Sequence, residues 1–186
     1  MTDWEGMWAA YDEDTYAAAL SFVPPETVVL DIGAGDLRFA RRLAAQARWV
    51  YAVERRPELL GGGVPNNVRV VCADARAWPF PSGLDAAVLL MRHCAHFDLY
   101  RRKLAAVGCR RLITNARWGM GVECINLATA SRPYGAVALG WYACRCGRTG
   151  FCAGPSEALT SAALETVVEV DDCPECHHGR NRPRLT

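Results

Sequence analysis

One stretch decides the fold, Val28-Val-Leu-Asp-Ile-Gly-Ala-Gly-Asp-Leu-Arg38. It has the pattern of a buried β-strand that runs into glycines and then opens a helix. Glycines at the end of a parallel strand let the backbone approach a ligand closely, and the helix that follows directs its N–H groups at that ligand. The stretch therefore predicts an α/β fold with a ligand site at the end of its first strand.

The charge of this turn indicates which ligand it binds. A dinucleotide fingerprint needs a third small residue so that helix and strand pack tightly, and the bulky cation Arg38 occupies that position. Asp31 stands two residues before the first glycine, which favours a cationic ligand. S-adenosylmethionine carries a sulfonium and an ammonium, so it fits the turn better than a pyrophosphate does.

Two further strand patterns also end in an acid. Residues 48–54 form a strand pattern that ends at Glu54, and an acid about 20 residues after a glycine turn lies where ribose hydroxyls need acceptors. Residues 68–74 give a third strand pattern that ends at Asp74, and the apolar run 86–91 gives a fourth. Each acid has the alternative role of capping a helix or a turn.

In this order, the pieces resemble the class I S-adenosylmethionine-dependent methyltransferases. The similarity is carried by Leu30-Asp-Ile-Gly-Ala-Gly35, by Glu54, by Ala73-Asp-Ala75, and by Trp78-Pro-Phe-Pro-Ser-Gly-Leu-Asp85. The last of these looks like that family's loop into strand four. The resemblance covers roughly the first two thirds of the chain.

The resemblance implies an active methyltransferase with S-adenosylmethionine as its cofactor. In that family the methionine end lies against the acid and glycines of the first turn, the ribose against the second acid, and the adenine amine against the third acid and its neighbour. The cofactor-binding residues implied for this chain are Asp31, Gly33, Gly35, Glu54, Asp74 and Ala75.

Strand and helix patterns alternate along the first part of the chain. Helices are predicted over 12–22, 36–46 and 95–107, a fourth strand over 84–91 and a fifth over 110–117. Such alternation predicts a Rossmann-like, doubly wound, mainly parallel sheet with right-handed crossovers.

After residue 117 the pattern loosens, because glycines and a proline interrupt it. We predict a boundary near residue 135, with an S-adenosylmethionine-binding methyltransferase domain over 1–135 and a zinc-ribbon-like region over 136–186. In the alternative arrangement, residues 137–143 and 166–170 complete the main sheet as its last two strands.

Cysteines are concentrated near the C-terminus, where two close pairs resemble those of a zinc ribbon. Paired thiolates from two turns can surround zinc tetrahedrally, and a structural site closes all four positions. Gly147 follows the first pair, where a permissive backbone is needed. Nothing suggests an oxidising compartment, so disulfides are disfavoured. The predicted zinc ligands are Cys144, Cys146, Cys173 and Cys176, with Cys152, His177 and His178 as possible substitutes.

The residues that act on the methyl acceptor are predicted from strand ends. The chain lacks the Asn/Asp-Pro-Pro-aromatic motif of base N-methyltransferases after strand four. His93 or His96 is placed there to act as a general base, unless each is only a hydrogen-bonded histidine at a strand end. Asn115 and Arg117 end strand five; Arg117 either holds a phosphate or carboxylate of the acceptor or is a surface arginine. The predicted catalytic residues are His93, Asn115 and Arg117.

Charge distribution says more about partners than the net charge of +1 does. Residues 92–117 hold seven bases and one acid, which together with the cysteine pairs favours RNA, or another macromolecule such as a protein, as the acceptor.

Residues 1–5 lack the basic start of a secretion signal, and no apolar run is long enough to span a membrane, so a cytoplasmic protein is expected. The alternative to an enzyme is a catalytically weak adaptor that binds nucleic acid or protein through its zinc ribbon.

Overall fold

The structure is a computed structural model, and it describes residues 9–117 and 119–176. The described chain divides into two compact units. The first contains residues 9–116 and 120–128, and the second contains residues 117, 119 and 129–176. The two units separate after residue 128, a few residues before the predicted boundary at 135. That 1–135 and 136–186 are separate domains stays a prediction.

A six-stranded sheet forms the centre of the first unit. Its strand order is β3-β2-β1-β4-β5-β6; β1 to β5 run parallel and β6 runs antiparallel to β5. The order reverses between β1 and β4, as in doubly wound sheets. This confirms the predicted Rossmann-like, mainly parallel α/β fold. The strands are β1 (Val28–Ile32), β2 (Trp49–Glu54), β3 (Val68–Cys72), β4 (Ala86–Leu89), β5 (Arg111–Thr114) and β6 (Glu123–Asn126).

Three helices accompany this sheet: α1 (Glu13–Ser21), α2 (Arg38–Leu43) and α3 (Phe97–Ala106). The α1 helix begins where the sequence predicts, because the Asp12 carboxylate accepts a hydrogen bond from the Thr15 N–H at 2.7 Å. The α2 helix is shorter than the predicted 36–46. Leu37 adopts a left-handed φ of 66°, so regular helix begins only after it.

Alternate residues of the parallel strands pack into two layers. Val29 faces one side with Phe39 of α2, and Leu30 faces the other side with Phe97 of α3. Burying side chains of this size contributes about 1.5–3 kcal/mol each. Because both faces are covered, the central strands are continuous apolar runs and do not alternate with polar residues.

The second unit has its own three-stranded sheet, in the order β8-β7-β9. The strands are β7 (Gly140–Cys144), β8 (Thr149–Cys152) and β9 (Val167–Val170), and a short helix α4 (Ser161–Glu165) precedes β9. The alternative in which 137–143 and 166–170 complete the main sheet is therefore wrong. The main sheet ends instead with β6, a strand that the loosened pattern after residue 117 does not predict. Among the described helices, none is long and apolar enough to cross a membrane.

Candidate functional site

A cleft opens at the carboxyl ends of β1, β2, β3 and β4 in the first unit. It holds about 1040 Å³ of free space, its open mouth included. Open parallel sheets bind ligands at this end, beside the point where the strand order reverses. The structure brings five of the six predicted cofactor residues to its walls: Asp31, Gly33, Glu54, Asp74 and Ala75.

Asp31 is the most unusual group in the cleft. Its side chain is buried, and Oδ2 has no hydrogen-bond partner among the described residues. Burial, and to a lesser extent the charge of Glu54, raises the pKa of Asp31 to about 7. An unpartnered buried carboxylate is costly for the ligand-free protein, so Asp31 is poised to accept hydrogen bonds from a cationic group.

The glycine turn after β1 is locked to β2. The N–H groups of Gly33 and Ala34 both donate to the Val53 carbonyl, at 2.9 and 3.0 Å, and the Gly35 N–H donates to Oε2 of Glu54 at 3.0 Å. Gly33 has φ +75°, and a Cβ there would lie 3.0 Å from Cε of Met91. The turn therefore favours glycine at position 33 for its backbone conformation, whereas the flexible end of the Met91 side chain could shift to admit a Cβ.

Three acid-x-Arg segments surround the cleft, one after each of β1, β2 and β3: 36–38, 54–56 and 74–76. In each, the arginine N–H donates to the carboxylate two residues before it, at 3.1, 3.0 and 2.9 Å respectively. Each arginine side chain also binds that same carboxylate. The sequence analysis missed these arginines, although the repeated spacing was visible.

Asp74 is held by its arginine more completely than Glu54 is. The Arg76 guanidinium binds both carboxylate oxygens of Asp74, at 2.6 to 3.0 Å. These hydrogen bonds lower the pKa of Asp74 to about 2, so the group is ionised at neutral pH. Glu54 is buried and uses one oxygen for Arg56 and the other for Gly35. Carboxylate oxygens have further lone pairs, so both acids keep capacity to accept from a ligand.

Lys103, the only lysine of the chain, supports the loop that carries Asp74 and Ala75. Its Nζ donates to the carbonyls of Ala75, Arg76 and Trp78 at 2.5, 3.0 and 2.7 Å. It also lies 4.2 Å from the centre of the Phe80 ring. Burial lowers the pKa of Lys103. One cation on α3 thus fixes the backbone of a neighbouring loop, a tertiary contact that no local pattern predicts.

The three predicted catalytic residues do not meet in this cleft. His93 lies on the exposed loop after β4 with φ 58°, and the described lining includes its neighbours Met91 and Arg92 instead. Asn115 is buried just after β5, and neither its Oδ1 nor its Nδ2 has a partner among the described residues. Arg117, two residues further along the chain, is grouped with the second unit.

Arg117 is occupied by an ion pair within the second unit. Its two Nη atoms donate to the two oxygens of Glu169 on β9, at 3.0 and 2.6 Å. The arginine is buried, and a bidentate pair of this kind is strong and geometrically specific. The guanidinium is therefore committed to a carboxylate of the chain itself, and its burial also shows that Arg117 is not a surface arginine, the other alternative.

Four cysteines of the second unit converge on one point. The sulfur atoms of Cys144, Cys146, Cys173 and Cys176 all lie within 4.8 Å of one another, with contacts of 3.5 to 3.8 Å. Four thiolates at about 2.3 Å from a zinc ion in a tetrahedron lie about 3.8 Å apart. These spacings exceed the length of a disulfide by far. The cluster therefore has the geometry of a closed tetrathiolate metal site.

The elements around the cluster match a zinc ribbon only in part. The first cysteine pair lies at the β7–β8 hairpin, where Gly147 has φ 97°, as the sequence predicts. The second pair follows β9, which runs parallel to β7, so it does not come from a second hairpin. Cys152 donates to the Val137 carbonyl at 3.0 Å and stands outside the cluster. The substitutes His177 and His178 lie outside the described residues.

No family model and no curated protein matches this chain. Solved structures do match. A dimethyladenosine transferase from Plasmodium falciparum superposes with a TM-score of 0.50 and 16% identity, over 57% of this chain and 42% of that one. The 23S rRNA methyltransferase ErmE gives 0.49 and 25%, over 58% and 47%. A putative S-adenosylmethionine-dependent methyltransferase from Listeria monocytogenes gives 0.46 and 16%, over 54% and 53%.

The chain spans about half the length of these solved structures, 42% to 53%. At such identities the similarity concerns the fold alone. The mixed α/β architecture with a mainly parallel central sheet is thus the Rossmann-like fold of methyltransferase structures.

Proposed function

We propose that the first unit binds S-adenosylmethionine and that the protein is a methyltransferase. Asp31 supplies the main support, because it lines the cleft and its buried oxygen has no partner among the described residues. A ligand with a cationic donor satisfies that oxygen, and the ammonium of S-adenosylmethionine is such a donor. Gly33 adds a second point of fit, since it lines the cleft in a left-handed conformation and presents no side chain to it.

The proposed cofactor contacts follow the cleft from β1 to β3. Asp31, Gly33 and Gly35 hold the methionine end, and Glu54 accepts from the ribose hydroxyls. Asp74, with Ala75 beside it, receives the adenine, and Lys103 keeps that loop in place. When bound, S-adenosylmethionine supplies a methyl carbon that its sulfonium has activated for in-line displacement.

The chain itself aligns the reactants, excludes water and removes a proton where the acceptor requires it. We propose His93 for proton removal, because it follows β4 next to Met91 and Arg92 of the cleft wall. We propose that Asn115, whose amide is buried and unpartnered among the described residues, contacts the acceptor. Arg117 receives no such role, since Glu169 binds both of its Nη atoms.

We infer that the acceptor is RNA, on the basis of the charge at the cleft. Guanidinium groups bind phosphate in planar, bidentate geometry. The basic stretch 92–117 offers fewer cations to a phosphate backbone than its composition indicates, because Lys103 and Arg117 bind groups of the chain itself. Five arginines line the cleft: Arg38, Arg55, Arg56, Arg76 and Arg92. Three of them, Arg38, Arg56 and Arg76, also bind a carboxylate of the chain, which offsets part of their positive charge.

Calorimetry tests cofactor binding. We expect the purified chain to bind S-adenosylmethionine at micromolar concentration and Asp31→Asn to lose this binding. Asp14→Asn, which changes an exposed acid of α1, is the matched control and should bind normally.

Transfer of a radiolabelled methyl group into total RNA, total protein and small-molecule extracts, compared side by side, then identifies the acceptor. Label that enters protein or metabolites but not RNA would refute the RNA assignment.

We also propose that the four clustered cysteines hold one structural zinc ion. Their spacing fits a tetrathiolate site. All four positions are filled by protein ligands, so the metal would stabilise the small second unit and not perform chemistry.

A second candidate function is an adaptor that uses the methyltransferase fold with little or no catalysis. The cysteine cluster favours it, because a closed metal site serves to hold a small surface in shape. If calorimetry with S-adenosylmethionine gives no heat for the wild-type protein, the adaptor becomes the better hypothesis.

A further inference from the structure

One face of the second unit's sheet carries a row of exposed apolar side chains. Trp141 on β7 is in register with Phe151 on β8 and with Val167 on β9. These side chains are 38%, 38% and 36% exposed. The two rings meet edge to face with their centres 5.2 Å apart. We call these three residues the Trp141 face.

The sheet that carries the Trp141 face has a buried core on its other side. The opposite side of the same strands carries Tyr142, Cys144 and Val170, which form a buried cluster with Cys173. The unit thus has one face packed on its cysteine core and one face with large apolar groups in contact with water. An aromatic pair on an exposed sheet is typical of a binding surface.

The charge of the segment that contains β8, α4 and β9 selects between kinds of partner. Residues 149–176 contain six carboxylates and no lysine, arginine or histidine, and five of these carboxylates remain when Glu169, which pairs with Arg117, is set aside. A nucleic acid presents its phosphates first, and this segment repels them. A positively charged partner is attracted instead. The six acids are Glu157, Glu165, Glu169, Asp171, Asp172 and Glu175.

Exposed acidic and apolar groups also occur together in the segment that leads into β9. Leu159 and Leu164 are exposed, and they stand close in sequence to Glu157 and Glu165, which are exposed as well. A partner for such a surface has to supply cations and apolar side chains together. Nucleobases can stack on Trp141 and Phe151, but their backbone has the wrong charge.

We propose that the Trp141 face binds a basic polypeptide segment that carries large apolar side chains. The apolar groups of the partner cover Trp141 and Phe151, and its lysines and arginines pair with acids of residues 149–176. Aromatic side chains of this kind are the residues that dominate binding energy at protein interfaces. The proposal is independent of whether the first unit binds S-adenosylmethionine.

Fluorescence anisotropy with labelled peptides tests this proposal on the full chain, whose zinc content is verified first. The probe is a twelve-residue peptide in which lysine and arginine alternate with leucine and phenylalanine. We expect it to bind, and we expect Trp141→Ala and Phe151→Ala each to weaken binding about tenfold or more. Phe22→Ala removes an equally exposed aromatic ring from the first unit and should leave binding unchanged.

Charge is tested in the same assay. The double variant Glu157→Gln/Glu165→Gln should weaken binding at low salt, whereas Glu58→Gln, an exposed acid of the first unit, should not. A peptide with glutamate in place of its basic residues, and one with serine in place of its apolar residues, should both fail to bind. The proposal is overturned if the basic apolar peptide does not bind, if Phe22→Ala weakens binding as much as Trp141→Ala does, or if a twelve-nucleotide RNA binds in a Trp141-dependent way.

Discussion

At the scale of single residues, the buried carboxylate of Asp31 lowers the stability of the ligand-free protein. Its carboxylate is buried beside Glu54 without a partner for Oδ2 among the described residues. For an acid whose folded pKa lies above its unfolded value, ionisation opposes folding. Such an arrangement is retained where a cationic ligand is to be bound, since the ligand satisfies the charge.

The pKa of Asp31, raised to about 7, predicts pH-dependent cofactor binding. The cationic end of S-adenosylmethionine requires the carboxylate, so protonation of Asp31 competes with the cofactor. We expect affinity to fall about tenfold for each pH unit below 7, measured by calorimetry between pH 5 and 8. Affinity that stays constant over this range would contradict the assignment of Asp31.

Stability of the ligand-free protein provides the control for this prediction. Folded Asp31 holds its proton up to about pH 7, and unfolded Asp31 loses it near 3.8. The stability that Asp31 contributes is therefore greatest at low pH and is lost as the pH rises between these two values. Asp31→Asn should unfold at a higher temperature than the wild type at pH 8, and the difference should shrink toward pH 4.

Lys103 predicts a different kind of effect, because it acts only through the loop that it holds. In Lys103→Met, three carbonyls lose a charged donor, and each such bond is worth roughly 1.5–3 kcal/mol. We expect KM for S-adenosylmethionine to rise about tenfold while kcat changes less than twofold, because the proposed role of this loop is to bind the adenine and not the reacting carbon. Methyl-transfer kinetics at varied cofactor concentration measure this.

Two further variants separate positioning from general stability. Lys103→Arg retains a charged donor and should restore part of the affinity. Arg102→Met alters the adjacent, exposed residue of α3 and should have no effect on KM. A loss of kcat in Lys103→Met with an unchanged KM would mean that the lysine does not act on the cofactor loop.

At the scale of elements, the start of β7 depends on the close approach of α4. Gly140 has φ +117°, and a Cβ there would lie 2.8 Å from the backbone oxygen of Ala163. Backbone cannot yield as a flexible side chain does, so a methyl group has to displace the helix from the strand. Glycine at this position therefore sets the distance between the two elements.

We expect Gly140→Ala to destabilise the second unit, by more than the 1–2 kcal/mol that left-handed strain alone costs a residue. Hydrogen exchange read segment by segment should show faster exchange over 129–176 and unchanged exchange in the central strands of the first unit. Gly135→Ala is the matched control, since a Cβ at Gly135 meets no atom within 4 Å. Equal protection in both variants would refute the packing argument.

At the scale of the whole molecule, metal removal should distinguish the two compact units. The second unit has a small buried cluster, of which Cys144 and Cys173 are themselves members, so a bound ion would supply much of its stability. We expect one equivalent of zinc in the purified protein. Chelation should abolish hydrogen-exchange protection beyond residue 129 and leave that of β1 to β5 intact.

Quadruple substitution of the clustered cysteines by serine should reproduce the effect of the chelator. Cys109→Ser serves as the control, because Cys109 is a buried thiol of the first unit. Metal analysis that finds no zinc in freshly purified protein, or chelation that unfolds both units equally, would contradict the structural metal site.

The sequence by itself determined the parallel sheet, its glycine turn and the two cysteine pairs. Each of these depends on local spacing: apolar runs for β1 to β5, the left-handed glycines after β1, and thiols within reach of one metal ion. Local chemistry fixes such features because neighbours in sequence are neighbours in space.

Only the tertiary structure decided where distant groups meet. It paired Arg117 with Glu169, placed Lys103 under the cofactor loop, and gave the main sheet an antiparallel last strand. It also placed Trp141 and Phe151 on an open face of a separate sheet. The partner of a long charged side chain is set by the chain's path through space, so spacing along the sequence leaves such contacts undetermined.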